Sequence, residues 1–209
     1  MSRFSLIFIG SFTLLISLFS FLNIIYSYYL NLFLNIDTYF IFFLLTLILG
    51  LFLIFFKRIH FKKINIYEKI LIVIIGYFFF PVIISLPFYF SFENISYLNS
   101  YFEAISGFTS TGFSIFDNIK QLDQSLIIWR SSSQWIGGLY FLFSLLLLID
   151  IFDDNLKKSL TNYISFNSSE TLKQSLKIII IYSSITLIIF IFLKLINLRK
   201  IKIISVIAE

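Results

Sequence analysis

The residues Ser106–Gly107–Phe108–Thr109–Ser110–Thr111–Gly112–Phe113 are where the residue types and spacing of this 209-residue chain point to chemistry. They hold no acid–base pair and no nucleophile beside a base, so the chemistry is not covalent and the chain does not read as an enzyme. Gly107 is placed to end a helix, and Gly112 permits backbone angles that turn consecutive carbonyls to one side. Carbonyls arranged in that way replace the hydration shell of a dehydrated cation, and potassium is the ion that such neutral oxygen fields suit. The same residues also fit an external loop of Ser, Thr and Gly that joins two spans, and periodicity does not separate the two readings. A phosphate-binding loop is excluded, because no Gly-Lys-Ser/Thr follows.

The elements around this strip set its depth. From Ser100 to about Phe108 a helix would be only about 13 Å long, roughly half a bilayer. Asn99 or Ser100 is placed to cap it, and Glu103 falls in its first turn, where a carboxylate suits the positive end of the helix dipole. The opposite end then points its partial negative charge at whatever lies beyond, which in a re-entrant helix is a cation. Long apolar runs at 70–90 and 126–149 flank the strip. Irregular backbone at membrane depth is tolerated only where protein or water satisfies it.

Composition agrees: 59% of residues are hydrophobic and only 13% charged, with apolar runs of roughly 20 residues, the length that crosses a bilayer. The expected spans are Phe4–Tyr28, Thr38–Phe56, Ile70–Phe90, Leu126–Ile149 and Leu176–Leu193, embedded in lipid. The first is read as a retained helix rather than a signal peptide, since no small-x-small cleavage site follows it. Its Ser11, Ser17 and Ser20 are placed to bond the preceding turn. The stretch with Asn31, Asn35 and Asp37 is too short to do other than close a hairpin. Pro81 and Pro87 fall in the third span, and Pro87 is expected to mark its exit from the membrane. Asn94–Ile95–Ser96 also fits a glycosylation acceptor.

The net charge of +5 sits in connecting loops and reads as a topology signal, not a nucleic-acid surface. Residues 57–69 carry five Lys/Arg, and with Arg3, Lys157, Lys158 and Lys173 they place the N-terminus in the cytoplasm. Lys194, Arg199, Lys200 and Lys202 oppose that rule. No cysteine is present, which excludes thiolate metal sites, and His60 has no partner at metal-ligand spacing. In the fourth span, Gly137–Gly138 either lets another backbone approach closely or permits a flexible turn. Arg130 reads equally as a cation beside the strip or as a boundary arginine snorkelling to head groups, and Trp129 and Trp135 as interfacial anchor and helix packing.

Three stretches together resemble a known family: YEKILIVIIGYFFFPVIISLPFYFS at 67–91, YFEAISGFTSTGF at 101–113 and WRSSSQWIGGLYFLF at 129–143. The chain is similar to the potassium-transporting membrane subunit of the bacterial Trk/Ktr uptake systems, related to plant and fungal Trk/HKT transporters. The matching features are Phe102–Glu103, Ser106–Gly107, Thr109–Ser110–Thr111–Gly112, and Gln134–Trp135 with Gly137–Gly138. The resemblance implies an all-α polytopic membrane protein: an N-terminal hairpin with a basic loop (1–66), a helix–pore loop–helix repeat of potassium-channel type (67–150), and a linker with the first helix of an incomplete second repeat (151–209). It implies Gly112 as the filter glycine, with the carbonyls of Ser110, Thr111, Gly112 and Phe113 contacting K+ and Thr109 in support. It further implies a bacterial inner-membrane location, no cofactor, a dimer, and a cytoplasmic nucleotide-binding regulatory subunit that loops 57–69 and 150–172 would contact. The departure is length. Three further filter segments of the family pattern, a gating loop and a basic pore residue are absent from these 209 residues, and one quarter of a filter does not enclose an ion. The chain therefore reads as a fragment of a transporter; the alternatives are a non-conducting truncated or accessory membrane protein, and a homo-oligomeric cation channel.

Overall fold

Runs rich in Phe, Leu and Ile leave their peptide groups no water to bond, and a helix satisfies all of them within one segment. The computed structural model of the protein describes residues 3–32, 35–55, 66–92, 94–118, 122–148 and 177–194. These form α1 Arg3–Tyr29, α2 Ile36–Phe55, α3 Ile66–Ser91, α4 Tyr97–Phe108 and α5 Gln124–Leu148, followed by α6 Lys177–Lys194. All but α4 are long and apolar enough to cross a membrane, and no strand occurs among the described residues. The protein is an all-α, multi-spanning membrane protein. The basic stretch 57–65 with His60, the whole linker 150–172 and the tail after Lys194 lie outside the described residues.

The chain divides into two units, Met1–Ile151 and Phe152–Glu209. In the second, two hydroxyls of α6 bond within the helix: Ser183 Oγ donates to the Ile179 carbonyl at 2.7 Å and Thr186 Oγ1 to that of Ser183 at 2.9 Å.

In the first unit, α1 and α2 form an antiparallel hairpin. Gly10 and Gly50 face one another, so that a Cβ built on either would lie 3.0 or 3.2 Å from the other's carbonyl oxygen. Such small residues let helices approach in lipid, where packing and hydrogen bonds bring them together rather than exclusion of water. Ser11 bonds back to the Phe8 carbonyl at 2.8 Å as its position in the helix suggests. Ser17 and Ser20 do not; they reach across the hairpin to the carbonyls of Phe43 and Tyr39 at 3.4 and 2.9 Å. Asn31, with φ 56°, turns the chain between the helices. The amide of Asn31 bonds the Tyr28 carbonyl and that of Leu32 the Ser27 carbonyl, at 3.2 and 2.8 Å, the paired bonds of a Schellman cap.

α3 runs through both prolines to Ser91. Polar groups nearby reinforce that part of the helix: Ser85 Oγ donates to the Val82 carbonyl at 2.8 Å and Trp129 Nε1 of α5 to the Ile84 carbonyl at 3.1 Å. Further along the antiparallel α3–α5 pair, Tyr140 OH reaches the carbonyls of Ile72 and Val73, each at 3.1 Å. It passes over Gly76, where a Cβ would collide with the hydroxyl. Phe12, Phe80, Phe108 and Tyr140 bring α1, α3, α4 and α5 together with ring centroids 5.1–5.9 Å apart.

Candidate functional site

α4 begins earlier than its sequence suggests. Ser96 is the cap: its Oγ accepts from the Asn99 amide at 3.2 Å, which corrects the assignment of the cap to Asn99 or Ser100. The helix has 12 residues, about 18 Å at 1.5 Å each. Aromatic neighbours on α3 mark its course. Tyr97 packs on Tyr89 at 5.9 Å, Phe108 lies deeper beside Tyr77 and Phe80 at 5.9 Å from each, and after the strip Phe116 meets Phe92 at 5.2 Å. The chain thus descends alongside α3 and returns to the level from which it started.

The descent ends in a second Schellman cap. The amides of Ser110 and Thr111 bond the carbonyls of Gly107 and Ser106 at 2.9 and 3.1 Å, and Ser110 takes the left-handed conformation with φ 57°. Gly107 is therefore not the terminator; Phe108 is the last helical residue. Gly107 instead permits contact with α5, because a Cβ there would strike Ser133 Oγ. Gly137 does the same on the facing helix, where a Cβ would collide with the Phe108 carbonyl. Gly112 has φ 81° with nothing within 4 Å of its Cβ direction, so glycine is there for its backbone angle and not for space.

Behind the strip lies a buried ion pair. Glu103 is fully buried and Arg130 is 6% exposed. Glu103 Oε1 accepts from Ser114 Oγ and the Ile115 amide, both at 2.6 Å, and Oε2 pairs with Arg130 Nη1. Arg130 Nη2 donates to the Gly112 and Phe113 carbonyls at 3.2 and 2.9 Å. Ser106 Oγ also donates to Phe113 O, at 2.6 Å, and Thr111 Oγ1 lies 3.2 Å from both Ser106 O and Ser106 Oγ. Thr109 Oγ1 bonds the Ile105 carbonyl at 2.7 Å and lies 3.3 Å from Thr111 Oγ1. The fork of Arg130 thus joins a carboxylate on α4 to two carbonyls of the returning strip, a geometry that a single ammonium cannot reproduce. The carboxylate also offsets the guanidinium charge, so the carbonyls are held without net positive charge behind them.

Two sequence readings change here. Glu103 lies in the middle of α4, not its first turn, and serves Arg130 and the returning chain rather than the helix dipole. Arg130 does not snorkel, and Trp129 is no interfacial anchor, being fully buried and bonded to α3. The residue type gave half the signal, because an arginine within an apolar run needs a partner; Asp117 and Asp123 stand nearer in the sequence than Glu103, so the sequence did not single the partner out. The roles of Ser114, the Ile115 amide and Ser133 had no such signal, because the return of the chain creates them.

Of the sequence-selected residues, Glu103, Ser106, Gly107, Thr109, Ser110, Thr111, Gly112 and Phe113 come together, with Gly137 touching them through Phe108. Phe102 and Phe113 turn outward, 43% and 69% exposed. Trp135 faces α1, its ring 5.1 Å from that of Phe19, and Gln134 and Gly138 are half-buried along α5. Among the described residues, no three His, Cys, Asp or Glu side chains gather in a metal-binding group.

Spans of bilayer length around a short helix and a polar strip braced by a buried ion pair define a multi-spanning helical membrane protein. The TrkH family of cation transport proteins matches residues 35–207, and the chain belongs to that family. It is 39% identical over 54 residues to an uncharacterized cation transporter of Methanocaldococcus jannaschii, a stretch that is 26% of this chain and 11% of the relative. The Trk system potassium uptake protein TrkG of Escherichia coli is 30% identical over 73 residues, 34% of this chain and 15% of the relative. TrkI of Halomonas elongata, also a Trk system potassium uptake protein, is 38% identical over 55 residues, 26% of this chain and 11% of the relative. The matched stretches thus span a small part of each relative's length. No solved structure matches the chain.

Proposed function

We propose that this chain supplies one wall of a potassium-conducting filter in a bacterial inner membrane. The carbonyls of Ser110, Thr111, Gly112 and Phe113 face the ion, and Thr109 supports them. The observation that carries this reading is the engagement of the Gly112 and Phe113 carbonyls by Arg130 while Glu103 cancels its charge. A carbonyl has two lone pairs, so the donor behind Gly112 orients its oxygen and leaves one pair for a cation in front, while Phe113 O, which also accepts from Ser106 Oγ, is held from two sides and fixes the end of the strip. Helix–strip–helix, from α3 through α5, is then a repeat unit of channel type, α1 and α2 form the preceding hairpin, and α6 opens a further repeat. One wall does not enclose an ion. The others come from further segments of the same kind, in a longer polypeptide or in copies of this one. Dimer formation, a nucleotide-binding regulatory subunit against loops 57–69 and 150–172, and a cytoplasmic N-terminus belong to the same proposal.

The test is potassium-limited growth of an uptake-deficient cell expressing the 209-residue chain, beside Gly112→Ser. Growth with the wild type, lost in the variant, supports conduction through this strip. Absence of growth with the protein verified in the membrane refutes autonomous transport and leaves the strip as one wall of a larger assembly.

A further inference from the structure

The hairpin of α1 and α2 contributes nothing to the strip itself, yet it grips the stretch of α5 that leads to Arg130. Asp123 caps α5: its Oδ1 accepts from the Ser125 amide at 3.3 Å and its Oδ2 from Ser125 Oγ at 3.0 Å, a helix start held by its own side chain. From the hairpin, Asn35 Nδ2 donates to the same Oδ2 at 2.9 Å, and Asn23 Nδ2 to the Ser125 carbonyl at 3.0 Å. Both asparagines are buried, so these bonds form where water competes little. One turn after Ser125 the hairpin meets α5 again. The fully buried Trp129 has its ring 5.2 Å from that of Phe42, edge on, and 5.9 Å from that of Tyr39. Its Nε1 bonds the Ile84 carbonyl of α3 at 3.1 Å.

Trp129 and Arg130 are consecutive, and consecutive residues of an α-helix point about 100° apart. A ring held between α2 and α3 therefore aims the next side chain at α4 and the strip. The cap sets the level of α5 along its axis, and the indole sets its rotation. Arg130 needs both, because bonds of 3.2 and 2.9 Å to the Gly112 and Phe113 carbonyls do not survive a displacement of about 1 Å. Its own partners hold the tip of a long side chain and not the helix that carries it.

We propose that the α1–α2 hairpin positions the fork of Arg130, acting through Trp129, with Asn35 and Phe42 as its positioning residues. The inference rests on the proposed filter wall for what the fork is for, and its test reads the fork apart from any transport. That test is the dipolar coupling between 15N in the arginine side chains and 13C in the glycine and phenylalanine carbonyls of the 209-residue chain in lipid bilayers. It is measured in wild type, Asn35→Ala, Phe42→Leu and Gly10→Ala, together with the thermal midpoint of each. Gly10→Ala is the control: it crowds the same hairpin against Ile54 and Leu53, about 20 Å along α1 from Asn23. Positioning predicts that the coupling falls by about half or more in Asn35→Ala and Phe42→Leu, as a fork displaced by about 1 Å requires. In Gly10→Ala the coupling stays at the wild-type level while the midpoint falls, as overpacking requires. Full coupling in both Asn35→Ala and Phe42→Leu would show that the fork keeps its own place. Equal loss in Gly10→Ala would show that the hairpin acts through general stability, and either result overturns the inference. A wild type without coupling refutes the fork and the inference together. Coupling that follows the prediction in a chain that supports no growth upholds the hairpin's role where autonomous transport has failed.

Discussion

The fork of Arg130 carries the site because it meets three acceptors that no single neighbouring side chain brings together: Glu103 and the carbonyls of Gly112 and Phe113. A buried pair of this kind contributes little net stability against an apolar replacement, yet it is costly to break from one side, since the remaining charge is then buried alone. Glu103→Gln and Arg130→Gln are each expected to lower unfolding free energy in detergent by about 3–5 kcal/mol. The double variant should lose clearly less than the sum of the two; additivity would show that the charges do not depend on one another. Gly112, the threonines and Glu103 were visible in the sequence as a cluster. The contacts of Arg130 were not, because a residue at the edge of an apolar run has two open destinations until the chain is seen to fold back over it.

The short helix and its exit turn are set by caps and close approaches rather than by hydrophobicity. Ser110 takes a left-handed angle that costs a non-glycine residue about 1–2 kcal/mol, and a β-branched side chain fits such an angle worse. Ser110→Gly should therefore stabilise the protein by about 1 kcal/mol and Ser110→Val destabilise it, as read by denaturant or thermal unfolding; no difference between the two would argue against this turn. Gly137→Ala places a methyl group on the Phe108 carbonyl. Overpacking of this sort typically costs about 1–3 kcal/mol, and here it also pushes α4 from α5, so unfolding and potassium-limited growth should both suffer. Sequence periodicity located the five bilayer-length helices and the half-length one to within a few residues. It misjudged the start of α4, because Ser96 caps from outside the polar run chosen for that helix.

At the scale of the whole molecule, α1 and α2 pack on the same helices that hold the strip, through Phe12 against Phe80 and Tyr140 and through Asn23 against Ser125. The hairpin was legible from a short Asn- and Asp-containing turn between two apolar runs. Its attachment was not, since residues about a hundred positions apart make it. The measurement that tests the central claim most directly is a solid-state NMR distance in lipid bilayers, between 15N in the arginine side chains and 13C in the glycine and phenylalanine carbonyls. The account predicts strong dipolar coupling of one guanidinium to both a glycine and a phenylalanine carbonyl, as N to O separations of 3.2 and 2.9 Å require, abolished in Arg130→Lys. Wild-type spectra without that coupling would mean that Arg130 reaches for the membrane surface instead, and that the strip is not held in the way described.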